Sequence, residues 1–280
     1  MFLKDPYSFS GQDVPEKDIF LPGNDPEAEY RKTVNHSFLC TGITFITAFF
    51  LAGSIASCIP AAPEDSYLYF LKDFLAGSIF FLPVAIIAII TRIYGSKHSG
   101  NSKIDRQKFL PFLPFPVPER KKVLHLSAGT FLCGILLQLP VLILGWVQKY
   151  IFLLLGIEFP PQEKVAMIAK LLENGGNFFP LLFLIIPPLF FAPLAEELFF
   201  RLIFFDKLNL YMKKEYAVWV TTVFFALLHG NTAAFLPLLV VGYVCQKTYM
   251  KTSSLLAAVL LHTGFNLSTI LLLFFTHTAK

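Results

Sequence analysis

Two adjacent carboxylates and an arginine stand inside an apolar stretch of this chain. The segment from Phe178 to Phe205 carries Glu196, Glu197 and Arg201 among leucines, phenylalanines and prolines. A charged side chain at mid-membrane costs roughly 2.5–3.5 kcal/mol on insertion scales, so three of them need compensation. In a helix, Glu197 and Arg201 are four residues apart and can pair, whereas Glu196 is turned about 100° away. The pattern predicts one carboxylate held by the arginine and one left free for chemistry.

Two histidines also interrupt apolar runs. His229 follows Phe225 by one helical turn, so the aromatic ring can pack behind the imidazole. His262 precedes Asn266 by four residues, which places both on one helix face. A lone histidine in an apolar helix more often forms an interhelical hydrogen bond. Together with Glu196, these residues indicate one buried polar site assembled from three helices.

Such a site could hydrolyse an amide in two ways. A carboxylate and an imidazole can hold and deprotonate a water, while a second imidazole and an amide donate to an oxyanion. Alternatively, Glu196, His229 and His262 could ligate a divalent metal such as zinc, as His₂Glu sites do. The chain has no HExxH motif, no serine in a nucleophile elbow and no cysteine beside these histidines. These absences argue against nucleophilic catalysis, and they leave both the glutamate-activated water and the zinc site open.

Composition excludes a soluble domain. Of the 280 residues, 55% are hydrophobic and 15% are charged, against about 25% charged in soluble proteins. The net charge of +4 is small, and the basic residues cluster in loops, which is typical of membrane topology rather than of a nucleic-acid surface. The cysteines have no CxxC-type spacing and are predicted to be packing residues; they are Cys40, Cys58, Cys133 and Cys245.

The apolar runs predict an all-α, polytopic transmembrane bundle of about seven segments, within a range of six to eight, around the buried polar site. The predicted segments are Phe38–Ile59, Phe74–Ile93, Val123–Val147, one starting near Phe178, then Tyr216–Leu228, Ala233–Gln246 and Ser254–Phe275. Pro187, Pro188 and Pro193 should break the fourth segment. A new helix is then expected near Pro193, with both glutamates in its first turns.

The chain divides into regions of different composition. Residues 1–35 form a polar tail that we expect to be irregular, and 36–147 hold the first transmembrane helices with a basic loop at 91–122. Residues 148–176 form a polar connecting segment, 177–275 the catalytic core, and 276–280 a short tail. The proline-aromatic FLPFLPFPVP stretch in the basic loop should lie along the membrane surface. Because basic residues concentrate in 91–122 and not in the 58–73 loop, we expect a cytoplasmic N-terminus.

Three motifs resemble those of a known family. Glu196-Glu197-x-x-x-Arg201, Phe225-x-x-x-His229 and His262-x-x-x-Asn266 occur in this order. They resemble the motifs of the CPBP (CAAX protease and bacteriocin-processing, or ABI) family of intramembrane proteases, which includes the Rce1-type CAAX prenyl endopeptidases. One departure is Leu202, since the family often has glycine after the arginine.

The resemblance implies a role for each motif residue. Glu196 would activate water and His229 would help to hold it, while Glu197 and Arg201 would form a supporting ion pair. His262 and Asn266 would form the oxyanion hole. With these roles we favour the glutamate mechanism without a cofactor, and zinc is the alternative.

The leading hypothesis is an intramembrane endopeptidase that cleaves a membrane-tethered peptide or protein, of which a prenylated CAAX terminus is the family's best-known example. The expected partners are this substrate and the lipid bilayer, with no nucleic acid, and the short chain favours the cell membrane of a prokaryote. One alternative is a non-proteolytic interaction or immunity-type protein that keeps the same polar core. Another is a small transporter that relays protons through Glu196 and the histidines, although the absence of internal repeats argues against it.

Overall fold

The computed structural model describes residues 26–58, 67–98, 117–158, 163–173 and 178–277, and their regular structure is entirely helical. The prediction of an all-α fold is confirmed. The helices are α1 (Pro26–Cys58), α2 (Tyr67–His98), α3 (Val117–Leu154), α4 (Glu163–Glu173), α5 (178–209), α6 (Lys214–Leu228), α7 (Phe235–Thr252) and α8 (Leu255–His277). A 3₁₀ turn, Thr232–Ala234, leads into α7.

Within the described ranges, six helices are long and apolar enough to cross a bilayer. These candidate spans are Tyr30–Ser54, Leu68–Thr91, Leu126–Leu154, Phe179–Asn209, Thr232–Thr252 and Leu255–Thr276. The protein is therefore an integral membrane protein, and six is the lower end of the predicted range. The predicted segment Tyr216–Leu228 lies in α6, which has 15 residues and is about 22 Å long. That length falls short of a hydrocarbon core of about 30 Å.

The outer surface of the bundle is apolar and the interior is partly polar. Large side chains such as Leu136, Ile143 and Trp146 are 62%, 66% and 79% exposed, as expected where a helix faces lipid rather than water. By contrast, Glu197 and Arg201 are fully buried. Because lipid is as apolar as leucine, such helices associate through close packing and interhelical hydrogen bonds.

Two glycines bring α3 and α8 into backbone contact. A Cβ at Gly134 would lie 2.0 Å from the carbonyl oxygen of Leu261, and a Cβ at Gly264 would lie 2.3 Å from the carbonyl oxygen of Phe131. No other residue type fits at either position without moving a helix. This contact fixes the depth and rotation of α8, the helix that carries the predicted site histidine and asparagine.

Helix α5 is continuous through its prolines, so the predicted break near Pro193 is wrong. The helix changes its hydrogen-bonding period in two π-helical stretches, Pro187–Phe191 and Leu198–Phe204, with a short α-helical piece, Ala192–Glu197, between them. Ala192 donates its N–H to the carbonyl of Pro187, which carries the chain across the prolines. The glutamates therefore lie in the middle of a helix and not beside a positive helix end. Wide π turns are frequent at functional sites.

The N-terminal tail is shorter than predicted. Helix α1 begins at Pro26, so residues 26–35 are helical rather than irregular. The rest of that tail and most of the FLPFLPFPVP stretch lie outside the described residues, and the last two residues of the stretch, Val117 and Pro118, begin α3. In the segment 148–176, α3 continues to Leu154 and α4 adds an amphipathic helix.

Candidate active site

The predicted site residues come together where α5, α6 and α8 meet, except that Asn266 is directed at the backbone of α5. Helix α5 supplies the two glutamates and Arg201, the C-terminal end of α6 supplies His229, and α8 supplies His262 and Asn266. The structure adds a fourth helix, α7, through Gln246. The site therefore depends on the packing of α5 to α8 and not on any one motif.

Glu197 and Arg201 form a fully buried ion pair. Arg201 Nε donates to Glu197 Oε2 at 2.6 Å, and Nη2 donates to Oε1 at 3.3 Å. The guanidinium also donates from Nη1 to Gln246 Oε1 at 3.3 Å, and its carbon lies 5.3 Å from the ring centre of Phe225. A buried ion pair is tolerated when further hydrogen bonds satisfy both partners. These contacts hold Glu197 in place and engage both of its carboxylate oxygens.

His262 lies between the two carboxylates. Its Nδ1 is 3.0 Å from Glu197 Oε1, and its Nε2 is 3.9 Å from Glu196 Oε2. His229 approaches the same oxygen, with its Nε2 also 3.9 Å from Glu196 Oε2. That oxygen is buried and has no hydrogen-bond partner. This buried carboxylate oxygen, 3.9 Å from two imidazole nitrogens and without a hydrogen-bond partner, is a candidate for the reactive group of the site.

The tautomer of His229 follows from its backbone contact. Its Nδ1 lies 2.8 Å from the carbonyl oxygen of Phe225, and a carbonyl can only accept, so Nδ1 carries the hydrogen. In the neutral ring, Nε2 is then an acceptor. The 3.9 Å gap to Glu196 Oε2 is too long for a direct hydrogen bond and fits a bridging water. Such a water would donate both hydrogens, one to each acceptor, and leave its lone pairs free.

Asn266 and Thr263 satisfy carbonyl groups that Pro193 leaves without donors. Pro193 has no N–H. It therefore cannot donate to the carbonyl of Leu189, four residues earlier, as in an α-helix. Nor can it donate to the carbonyl of Pro188, five residues earlier, as in a π-helix. Asn266 Nδ2 donates to Pro188 O at 2.7 Å, and Thr263 Oγ1 donates to Leu189 O at 3.1 Å. One amide hydrogen of Asn266 is therefore committed to α5. These two bonds fasten α8 to the helix that carries the glutamates.

Phe225 supports the site from behind. It is fully buried, and its ring centre lies 4.8 Å from that of His229 and 5.9 Å from that of His262. The packing of an aromatic behind His229 was predicted from the four-residue spacing and is confirmed. Gly242 makes room for this ring, because a Cβ there would lie 2.9 Å from Phe225 Cδ1.

Comparison with known proteins gives one match. Residues 178–268 match a family model described as type II CAAX prenyl endopeptidase Rce1-like. The chain contains an Rce1-like domain. No curated protein and no solved structure matches the chain. The Rce1-like domain includes every motif residue named from the sequence, and it confirms the resemblance to this protease family. It supports a CAAX-type protease acting on a membrane-associated substrate.

One group of potential metal ligands lies close together in the described residues, and it differs from the set predicted from the sequence. In the described residues, ligand atoms of Glu197, Cys245 and His262 lie within 4.8 Å of one another. This group does not fit a cation, because Arg201 already engages both carboxylate oxygens of Glu197 and would repel a second positive charge. The set predicted from the sequence, Glu196 with His229 and His262, offers the nitrogen and oxygen ligands that zinc accepts.

Sequence reasoning missed Gln246 and Thr263. Gln246 is fully buried and binds Arg201, and a polar amide at the end of the apolar run Ala233–Gln246 could have marked it. Thr263 gave no such signal, because threonine is common in transmembrane helices. Its role in the Rce1-like domain depends on the orientation of α8 against the Pro193 turn.

Proposed function

We propose that this protein is an intramembrane endopeptidase in which Glu196 activates a water for attack on a peptide bond. The observation that carries the proposal is the orphaned Oε2 of Glu196, 3.9 Å from the Nε2 atoms of both His229 and His262. A water in this space donates one hydrogen to Glu196 and one to His229. Its oxygen is then oriented towards a substrate carbonyl, which is the arrangement that a general base requires.

The reaction proceeds in two steps that need no covalent enzyme intermediate. Glu196 takes a proton from the water while the water oxygen forms a bond to the carbonyl carbon of the scissile peptide. The carbonyl oxygen becomes an oxyanion, stabilised by Nε2–H of a doubly protonated His262 and by the second amide hydrogen of Asn266. The C–N bond then breaks, and the proton on Glu196 passes to the departing amine. The immediate products are a carboxylic acid and an amine, and transfer of the carboxyl proton to the amine gives a carboxylate and an ammonium group.

Glu197 and Arg201 act through His262 rather than on the substrate. Glu197 accepts the Nδ1–H of His262 at 3.0 Å, and this bond fixes the ring with Nε2 directed towards Glu196. The positive charge of Arg201 balances the negative charge of Glu197, and two hydrogen bonds from the guanidinium hold the carboxylate in place. This division assigns the chemistry to Glu196 and the orientation of the imidazole to Glu197, although the two residues are adjacent in the chain.

The substrate we propose is a membrane-tethered peptide, with a prenylated CAAX terminus as the first candidate. The Rce1-like domain and the apolar outer surface support a substrate that arrives through the bilayer. Basic residues between 91 and 122 support a cytoplasmic N-terminus, which directs the site to the cytoplasmic half of the membrane. We propose the cell membrane of a prokaryote as its location and a reaction that needs no metal.

The test compares the purified wild-type protein with Glu196→Gln in lipid vesicles, with and without a strong chelator. The substrates are farnesylated CAAX peptides together with transmembrane and leader peptides. We expect wild-type cleavage that resists the chelator, and a loss of about 10²–10⁴-fold in Glu196→Gln because the base is gone. Full activity of the variant would disprove the mechanism. Cleavage that the chelator abolishes would make Glu196, His229 and His262 metal ligands instead.

A further inference from the structure

The loop after His229 is short and held at several points. Gly230 has a φ of +61°, a left-handed conformation that glycine adopts at little cost. The side chain of Asn231 then accepts from the N–H of Ala234 at 2.9 Å, which caps the 3₁₀ turn before α7. The position of His229 therefore depends on where this loop is anchored.

Gln148 of α3 supplies that anchor from outside the Rce1-like domain. Its Nε2 donates to the carbonyl of Thr232, and its Oε1 accepts from the backbone N–H of Leu236 at 3.3 Å. Thr232 and Leu236 are four residues apart, so one carboxamide spans the first turn of the helical segment. First-turn N–H groups need partners from outside the helix. Gln148 provides one such partner and ties the same turn to α3.

The side chain of Gln148 is buried, and both ends of its carboxamide form hydrogen bonds. The side chain is 3% exposed in a helix whose neighbouring residues face lipid. A buried amide is costly in an apolar medium unless both of its ends are bonded. Here one end bonds to the Thr232 carbonyl and the other to the Leu236 N–H in the first turn of α7. A cavity of about 570 Å³ lies beside this contact and is lined by Gln148, Gly230, Asn231 and Thr232 among apolar side chains. Without the contact, the loop would have open space into which to move.

We propose that Gln148 is a positioning residue for His229. The inference rests on the proposed function, in which His229 holds the attacking water. Gln148 does not touch the water or the substrate. It fixes the turn Thr232–Ala234, which through Asn231 and Gly230 determines where α6 ends and how far the His229 ring reaches towards Glu196. The N-terminal half of the chain thus contributes to the geometry of the catalytic site.

The test uses Gln148→Met, which keeps the side-chain length and removes both hydrogen bonds. The matched control is Gln138→Met on the same helix, because Gln138 accepts from the hydroxyls of Thr269 and Ser268 on α8 and not from the loop. Full-length protein labelled with ¹⁵N-histidine in lipid nanodiscs reports the ring tautomers. We expect the Nδ1–H tautomer of His229 in the wild type and in Gln138→Met, and a mixture of tautomers in Gln148→Met. The His262 signals should not change in Gln148→Met.

A cleavage assay provides the second measurement. A displaced catalytic group costs roughly 10–10²-fold, so we expect Gln148→Met to lower kcat by about this factor with little change in KM. In a His229→Ala background, the same substitution should have less than about a twofold further effect, because coupled residues are not additive. Gln148→Glu, which keeps only the acceptor for Leu236, serves as the variant if Gln148→Met does not fold.

The outcomes separate this inference from the proposed function. An unchanged His229 tautomer in Gln148→Met would overturn the positioning role, as would an equal loss of activity in the wild-type and His229→Ala backgrounds. The tautomer result does not depend on whether Glu196 is the base, since it is observed without substrate. Conversely, an active Glu196→Gln would disprove the glutamate mechanism while the tautomer change still showed that Gln148 positions His229.

Discussion

Glu197 and Arg201 form a two-point ion pair that is fully buried and four residues apart on α5. The Nε–Oε2 and Nη2–Oε1 distances are 2.6 Å and 3.3 Å, and the exposure of both side chains is 0%. The pair separates two adjacent glutamates into different roles, because it engages Glu197 and leaves Glu196 Oε2 without a partner.

Breaking this pair should destabilise the fold more than it affects chemistry directly. Removing one partner of a buried ion pair costs about 3–5 kcal/mol because the other charge is left uncompensated. We expect this loss for Arg201→Met and for Glu197→Gln, measured by thermal unfolding in detergent. The double variant should recover part of the stability. If each single variant unfolds at the wild-type temperature, the pair does not stabilise the bundle.

Arg201→Lys should behave like a loss of the residue rather than a conservative change. Lysine cannot reproduce the planar fork that bonds both oxygens of Glu197 and also reaches Gln246. We expect a lower unfolding temperature and loss of cleavage in the vesicle assay. Lys213→Arg, at an exposed position just before α6, is the control and should retain both properties.

The glycines between α3 and α8 should tolerate no side chain. In Gly134→Ala the new Cβ would meet the Leu261 carbonyl at 2.0 Å, and relieving this overlap requires the helices to separate. Overpacking typically costs about 1–3 kcal/mol, and contact with rigid backbone should reach at least the upper end. Gly129→Ala and Gly145→Ala are matched controls on α3, since nothing lies within 4 Å of a Cβ at either position. Equal stability of Gly134→Ala and the controls would show that the contact is looser than described.

Substitutions at Asn266 and Thr263 should have different effects on stability and on turnover. Thr263→Val removes only the bond to the Leu189 carbonyl and should cost about 0.5–1.5 kcal/mol of stability. Asn266→Ala removes the bond to the Pro188 carbonyl and the proposed oxyanion donor. Loss of one such donor lowers kcat by about 10²–10³-fold. If Asn266→Ala lowers kcat no more than Thr263→Val does, Asn266 only completes the hydrogen bonding of α5.

Gly242→Ala should disturb the histidines through Phe225. The added Cβ would lie 2.9 Å from Phe225 Cδ1, so the ring must move towards His229 or His262. We expect reduced cleavage with a modest loss of stability, because a side chain can shift more easily than backbone. Combining Gly242→Ala with Phe225→Leu should recover stability but not activity. Recovery of full activity in this double variant would show that the aromatic ring does not position the histidines.

Local spacing was sufficient to predict the parts of the site that lie on one helix. The four-residue separation of Glu197 and Arg201 predicts their pairing, and that of Phe225 and His229 predicts their contact, because both follow from helical geometry alone. Membrane insertion and the all-α fold follow from the length of the apolar runs. The motif order also identified the family to which residues 178–268 match.

Only the tertiary structure determined how these helices meet. The prolines suggested a new helix near Pro193, whereas π-helical turns keep α5 continuous, since Asn266 and Thr263 supply donors to the carbonyls that proline leaves open. Gln246 and Gln148 belong to no sequence motif, because each bonds across helices to a group far away in sequence. Gln246 bonds to the side chain of Arg201, and Gln148 bonds to the backbone of Thr232 and Leu236. Helical periodicity specifies which residues share a face, but the contacts between faces depend on where glycines allow close approach and where buried polar groups find partners.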